Sequence, residues 1–99
     1  MFITVTGVNH YLGIEEFKIS QKLYLEKEED NRYDDESIAV KTENNTKCGY
    51  VANSVYSVAR GTHSAGYVYR LVEQDTVVKI RFILDDKIIA EIIDTEIDN

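Results

Sequence analysis

The chain has 99 residues, which fits one domain and leaves no room for a second of ordinary size. Apolar residues make up 43% and charged residues 29%, a globular balance that excludes intrinsic disorder. With 18 acidic against 11 basic side chains the net charge is −7, which argues against generic binding of polyphosphate.

The first segment, "FITVTGV" (2–8), alternates apolar and polar residues and predicts a strand. "NHYLG" follows as a loop in which Gly13 is free to take positive φ. "KISQKLYLEKE" (18–28) has period two from Lys22, so Leu23 and Leu25 share one face. An acidic run then forms a loop around Asn31, Arg32 and Tyr33. "SIAVKT" (37–42), a turn at "ENN" and "KCGYVA" (47–52) predict a hairpin, since Asn tolerates the left-handed backbone such turns need. Asn53 or Ser54 caps a helix over "SVYSVAR", with Val55, Val58 and Ala59 at helical spacing and Gly61 at its end. Residues 65–73, 76–84 and 87–96 read as three further strands, the last two joined by a tight turn at "LDDK". Seven short strands and one or two short helices suggest a mainly β fold, a small, strongly curved sheet or a six- to seven-stranded barrel, because closure removes exposed edges.

A single cysteine, Cys48, allows no internal disulfide and points to a reducing compartment. No apolar run is long enough for a membrane span, and the N-terminus lacks a basic region followed by an apolar one. The expectation is a soluble, cytoplasmic protein with no membrane partner.

Catalytic chemistry has little support. One Cys and two His, far apart, do not supply the four ligands of a structural zinc site. Asp34, Asp35 and Glu36 are adjacent, and neighbours on a strand point to opposite faces, so a solvated acidic turn is the plainer reading. Cys48 reads as small buried filler, and the serines stand in no G-x-S-x-G context. The expectation is a non-enzyme with no cofactor and no metal.

Three segments remain: "GVNHYLG", "KEEDNRYDDESIAV" and "CGYVANSVYSVA". Their order and residues resemble the HIRAN domain, whose pattern runs G-x-x-[YH]-[YH]-x-G, then N-x-Y-D with a downstream A-[IV]-x-V, then G-[YH]-[IVL]. On this reading residues 1–99 are one HIRAN-like domain, with the match strongest over 2–60 and the strands of 65–96 completing the barrel. The resemblance implies a compact OB/SH3-related barrel that binds single-stranded DNA and captures its free 3′ end. A terminal base needs an aromatic face, and a free 3′-hydroxyl needs an acceptor that a fixed carboxylate supplies.

Carried onto this chain, the resemblance makes Tyr33 the stacking ring on the floor of a recess and Asp34 the hydroxyl acceptor. Asn31 contacts the terminal nucleotide or braces the loop, His10 and Tyr11 form the aromatic pair after the first strand, and Tyr50 reaches a phosphate or base. Each has a plainer alternative: an Asx turn for Asn31 and Asp34, and core or rim packing for Tyr11, Tyr33 and Tyr50. The chain departs from the pattern at Asn9, where DNA-binding members tend to carry Arg, and at Asn53, where Lys is frequent. A free-standing copy would deliver the end to a helicase, nuclease or other repair protein. The alternative function is an acidic protein-interaction module using "EKEED" and "IIDTEIDN", or an exposed strand edge, without DNA binding. A phosphodiesterase with a divalent ion held by Asp34, Asp35 and a distant carboxylate is a third reading.

Overall fold

Inward-facing β-branched and leucine side chains at every second position draw the chain into a closed antiparallel barrel, seen here in a computed structural model that describes residues 1–74 and 76–93. Six strands are found among these residues: β1 (Phe2–Thr6), β2 (Lys22–Lys27), β3 (Ile38–Lys41), β4 (Lys47–Val51), β5 (Thr76–Ile83) and β6 (Ile88–Ile92). They close in the order β1-β4-β3-β2-β5-β6, with β6 returning to β1. The architecture is the mainly β, OB/SH3-like barrel that the resemblance implies, with one short α-helix, α1 (Ala65–Val68).

Thr4 and Ser37 are the buried polar residues among those described, and the barrel core is apolar. Ile3 and Val5, Leu23 and Leu25, Ile38 and Val40, Cys48, Val78 and Ile80, Ile88 and Ala90 meet there, and Ala65, Val68 and Val72 pack against them. Burying each larger aliphatic side chain contributes roughly 1.5–3 kcal/mol. Register shifts in the β3–β4 and β5–β6 ladders, at Val40/Lys41 and Ile80/Phe82, add the local bend that closure requires. The β3–β4 turn uses Asn45 at φ 63°, and Gly13 takes φ 91°, both as the residue types suggested.

Cys48 lies in the core, its thiol donating to the Val40 carbonyl at 3.4 Å, and burial pushes its pKa up to about 11. A thiol reagent is therefore expected to modify the native protein far more slowly than protein in denaturing urea. Equal rates in the two states would place the sulfur at the surface instead.

Two expectations fail between β4 and β5. The helix over "SVYSVAR" is a single turn, in which the Val58 amide reaches the Ser54 carbonyl at 2.9 Å. The next amide, that of Ala59, donates instead to the Thr4 hydroxyl of β1 at 3.0 Å. Thr4 and Thr62 share a 2.7 Å hydrogen bond, Thr62 also holds the Ala59 carbonyl, and the His63 amide donates to Phe2. These bonds to β1 take the backbone groups that a longer helix would need. The strand expected over 65–73 is helical: α1, capped by the Ser64 hydroxyl on the Tyr67 amide, continues into a 3-10 turn (Tyr69–Leu71). Ala65, Val68 and Val72 are its buried face, at spacings of three and four. The β-branched residues and tyrosines here imitate alternation. Residues 94–96 of the last expected strand, and with them most of the acidic C-terminal tail, lie outside the described residues.

Candidate nucleic-acid interface

The loop between β2 and β3, residues 28–37, is fastened at its base. Glu28 and Ser37 face each other where the strands end, the Glu28 amide donating to the Ser37 carbonyl at 2.9 Å. The Glu28 carboxylate is the hub. Oε1 accepts from the Ser37 hydroxyl (3.0 Å) and from Asn31 Nδ2 (3.3 Å). Oε2 accepts from Lys47 Nζ (2.7 Å) and from the Tyr50 hydroxyl (3.1 Å), while Lys47 also donates to Tyr50 at 2.6 Å. Partial burial works against the Glu28 charge. The four donors, Lys47 foremost, outweigh it and hold the carboxyl below the usual range. The same bonds, first that to Glu28 and then that to Tyr50, raise the pKa of Lys47.

Asn31 transmits this anchorage to the tip. Its Oδ1 accepts from both the Tyr33 amide (2.9 Å) and the Asp34 amide (3.1 Å), the Asx turn that the residue types allow. Asp34 Oδ1 in turn accepts from the Glu36 amide at 2.9 Å, and its Oδ2 has no protein partner among the described residues. The Tyr33 ring is 96% exposed. It therefore projects from the loop and does not floor a recess; any partner must lie against it from outside. Local hydrogen bonding and exposure coexist here.

Tyr11 and Tyr50 converge beside the same hub. Their rings are 6.4 Å apart and tilted by 56°, and Lys47 Nζ lies 4.8 Å from the Tyr50 ring centre. Desolvation first, then the neighbouring Tyr50, raises the Tyr11 phenol pKa. Tyr11 follows a 3-10 turn (Val8–His10) that leaves the first strand through Gly7, at φ 76°. His10 ends that turn and is exposed, with no side-chain partner among the described residues. Asn9, at the position of a missing cation, accepts from the Ile14 amide at 2.9 Å and shapes the loop. Asn53, the other such position, donates to Glu36 (3.0 Å) and accepts from the Gly66 amide (2.8 Å), joining the loop to α1.

Five of the six sequence-selected residues thus lie along one connected line, Tyr11–Tyr50–Glu28–Asn31 and then Tyr33 and Asp34, with His10 next to Tyr11 in the chain. Glu28, Ser37 and Lys47 were not selected. Glu28 was hidden inside an acidic run, and only the strand register that sets it opposite Ser37 distinguishes it from its neighbours.

The HIRAN domain family model matches residues 1–81. The chain belongs to the HIRAN domain family. Among solved structures, it is similar to the HIRAN domain of human HLTF, with a TM-score of 0.67 at 16% identity, covering 93% of this chain and 71% of that one. It is also similar to a protein from Lactobacillus plantarum, with a TM-score of 0.58 at 18% identity, covering 90% and 87%. No curated protein sequence matches the chain significantly. HIRAN domains are binding modules for DNA, so nucleic-acid binding is the function class that membership supports. No helix among the described residues is long and apolar enough to cross a membrane.

Proposed function

We propose that this HIRAN domain is a non-catalytic module that binds single-stranded DNA at a free 3′-hydroxyl end, in DNA repair or replication-fork processing. The observation that carries the reading is the Asn31 side chain. Held from below by Glu28, it fixes the Tyr33 and Asp34 amides together, so that an exposed ring and a carboxylate with one unused oxygen stand side by side on an anchored loop. The ring would stack on the terminal base, a contact of about 1–3 kcal/mol. Asp34 Oδ2 would accept the 3′-hydroxyl proton, and a 3′-phosphate in its place would meet like charge. Tyr11, Tyr50 and His10 would contact the base or the first phosphate. The long-range repulsion of a −7 domain falls away over a Debye length of about 8 Å, which leaves recognition to the site itself. A helicase, nuclease or other repair protein would be the partner that uses the captured end.

Fluorescence anisotropy with a labelled oligonucleotide tests this. Binding at low salt should require a 3′-hydroxyl and weaken at least tenfold on 3′-phosphorylation, on Asp34→Asn or on Tyr33→Ala. Equal affinity for both ends, with both variants unaffected, would remove the loop from DNA binding and leave the acidic protein-interaction module as the reading to pursue.

A further inference from the structure

Charge is segregated along this chain. From Val51 to Val72 there is no aspartate or glutamate, although the chain carries 18, and the same stretch holds Arg60 and Arg70. It also holds the most exposed apolar side chains outside the β2–β3 loop. Val55 is 87% and Tyr56 95% exposed. Tyr67 is half exposed, with its ring stacked on His63 at 4.4 Å and 18°. A shallow groove of about 470 Å³ runs between Asn53, Val55, Arg60, His63 and Tyr67.

Nothing about this exposure is a loose end of chain. Thr4 holds Ala59 and Thr62, the Phe2 carbonyl holds the His63 amide, and Ser54 caps its own turn through the Tyr56 amide at 3.0 Å. An aromatic residue held almost fully in water by a folded turn gives up burial that the core could have supplied. The groove also continues the candidate site. Asp34 Oδ1 accepts from the Glu36 amide, Glu36 Oε1 from Asn53 Nδ2, and Asn53 lines the groove. Glu36, the carboxylate at this junction, is engaged by Asn53 and lies against Gly66.

We infer that the surface formed by Tyr56, Arg60, His63 and Tyr67 is a second nucleic-acid subsite, which carries the nucleotides upstream of the terminal one. The inference rests on the reading that the Asn31–Asp34 loop receives the strand end. Flat rings stack on bases without regard to sequence, and an exposed guanidinium neutralises one phosphate. The carboxylate-free stretch is where a polyanion can lie on an acidic barrel with least repulsion. An acidic peptide would meet the same charge. Planar rings next to an end-binding loop favour the strand.

The test compares a dinucleotide with an octanucleotide, both ending in a 3′-hydroxyl, by anisotropy on the whole chain. The octanucleotide should bind at least tenfold more tightly than the dinucleotide. The double variant Tyr56→Ala/Arg60→Glu should abolish that gain, leave dinucleotide affinity unchanged and reduce the salt slope by about 0.7 per lost phosphate contact. Both side chains are exposed, so an unchanged melting temperature checks the fold. Equal affinity for the two lengths, or a length gain that survives the double variant, overturns the subsite and leaves end capture standing. Failure of both oligonucleotides to bind removes end capture and the subsite together. An oligoglutamate that binds through Tyr56 and Arg60 where the octanucleotide shows no length gain overturns the subsite in favour of a protein partner.

Discussion

Replacing Gly49 with alanine is expected to lower stability by about 3 kcal/mol, which for a domain of this size is a fall of roughly 12–24 °C in Tm. Gly49 lies in β4 where that strand passes closest to the end of β1. A Cβ there would stand 2.6 Å from the Thr6 carbonyl oxygen and 3.0 Å from Val5 Cγ1. The first is backbone and cannot rotate away. The ladder it would pry open is the shortest of the six, with only Val5↔Val51 and Thr6↔Tyr50 in register. Val8, which packs beside the same spot, and Tyr50 would move with it, so the Tyr11–Tyr50 pair should loosen too. Thermal unfolding followed by circular dichroism measures the effect. A Tm within a few degrees of the parent would mean that β1 and β4 separate at little cost.

The second large effect is expected at Glu28. Glu28→Gln keeps the shape but removes the charge that Lys47, Ser37, Asn31 and Tyr50 all address. A cost of about 2 kcal/mol at neutral pH follows from the loss of charge-assisted hydrogen bonds in a part-buried site. The pH dependence has a definite sign. The folded pKa of Glu28 is depressed, so its stabilisation is complete above the unfolded value near 4.3 and is lost as pH falls through the lower folded value. The folded pKa of Lys47 is raised, so its share is complete below an unfolded value of about 10.4 and is lost only at higher pH. Urea midpoints of parent and variant should therefore differ across neutral pH, begin to approach each other once the pH falls below the unfolded value near 4.3, and meet only below the depressed folded value. A gap that stays constant on acidification would show that packing, and not charge, sets the cost. Because Asn31 leans on Glu28, the variant should also weaken binding of a 3′-hydroxyl oligonucleotide.

Much of the barrel was legible in advance because strands such as β2 alternate and the others are short apolar runs bounded by turn residues. Leu23 and Leu25 were placed on one face by period two, and both are buried. Asn45 and "LDDK" marked turns for the reason that turns have, a local backbone demand met by a local residue choice. The stretch 53–73 was misread in both halves. "SVYSVAR" has helical spacing, but Thr4, distant in sequence, takes the Ala59 amide, and Thr62, bonded to Thr4, takes the Ala59 carbonyl. "AGYVYRLVE" has strand-like residues, but Ala65, Val68 and Val72 face a core that only the closed barrel presents.

The candidate site divides along the same line. The resemblance to the HIRAN pattern singled out His10, Tyr11, Asn31, Tyr33, Asp34 and Tyr50, since the motifs that carry it are short stretches of neighbouring residues. Which acid is the hub could not be read from "EKEED", where Glu26, Glu28 and Glu29 look alike. The register of β2 against β3 and the placement of β4 bring Ser37, Lys47 and Tyr50 to Glu28 and to neither neighbour. Local periodicity and turn chemistry depend on neighbours in sequence, so the chain by itself determined the six barrel strands, their turns and its family. Hydrogen bonds between separate strands and loops depend on closure of the barrel, and so the tertiary structure decided which acid anchors the loop, how far Tyr33 is exposed and that the carboxylate-free stretch folds into a groove.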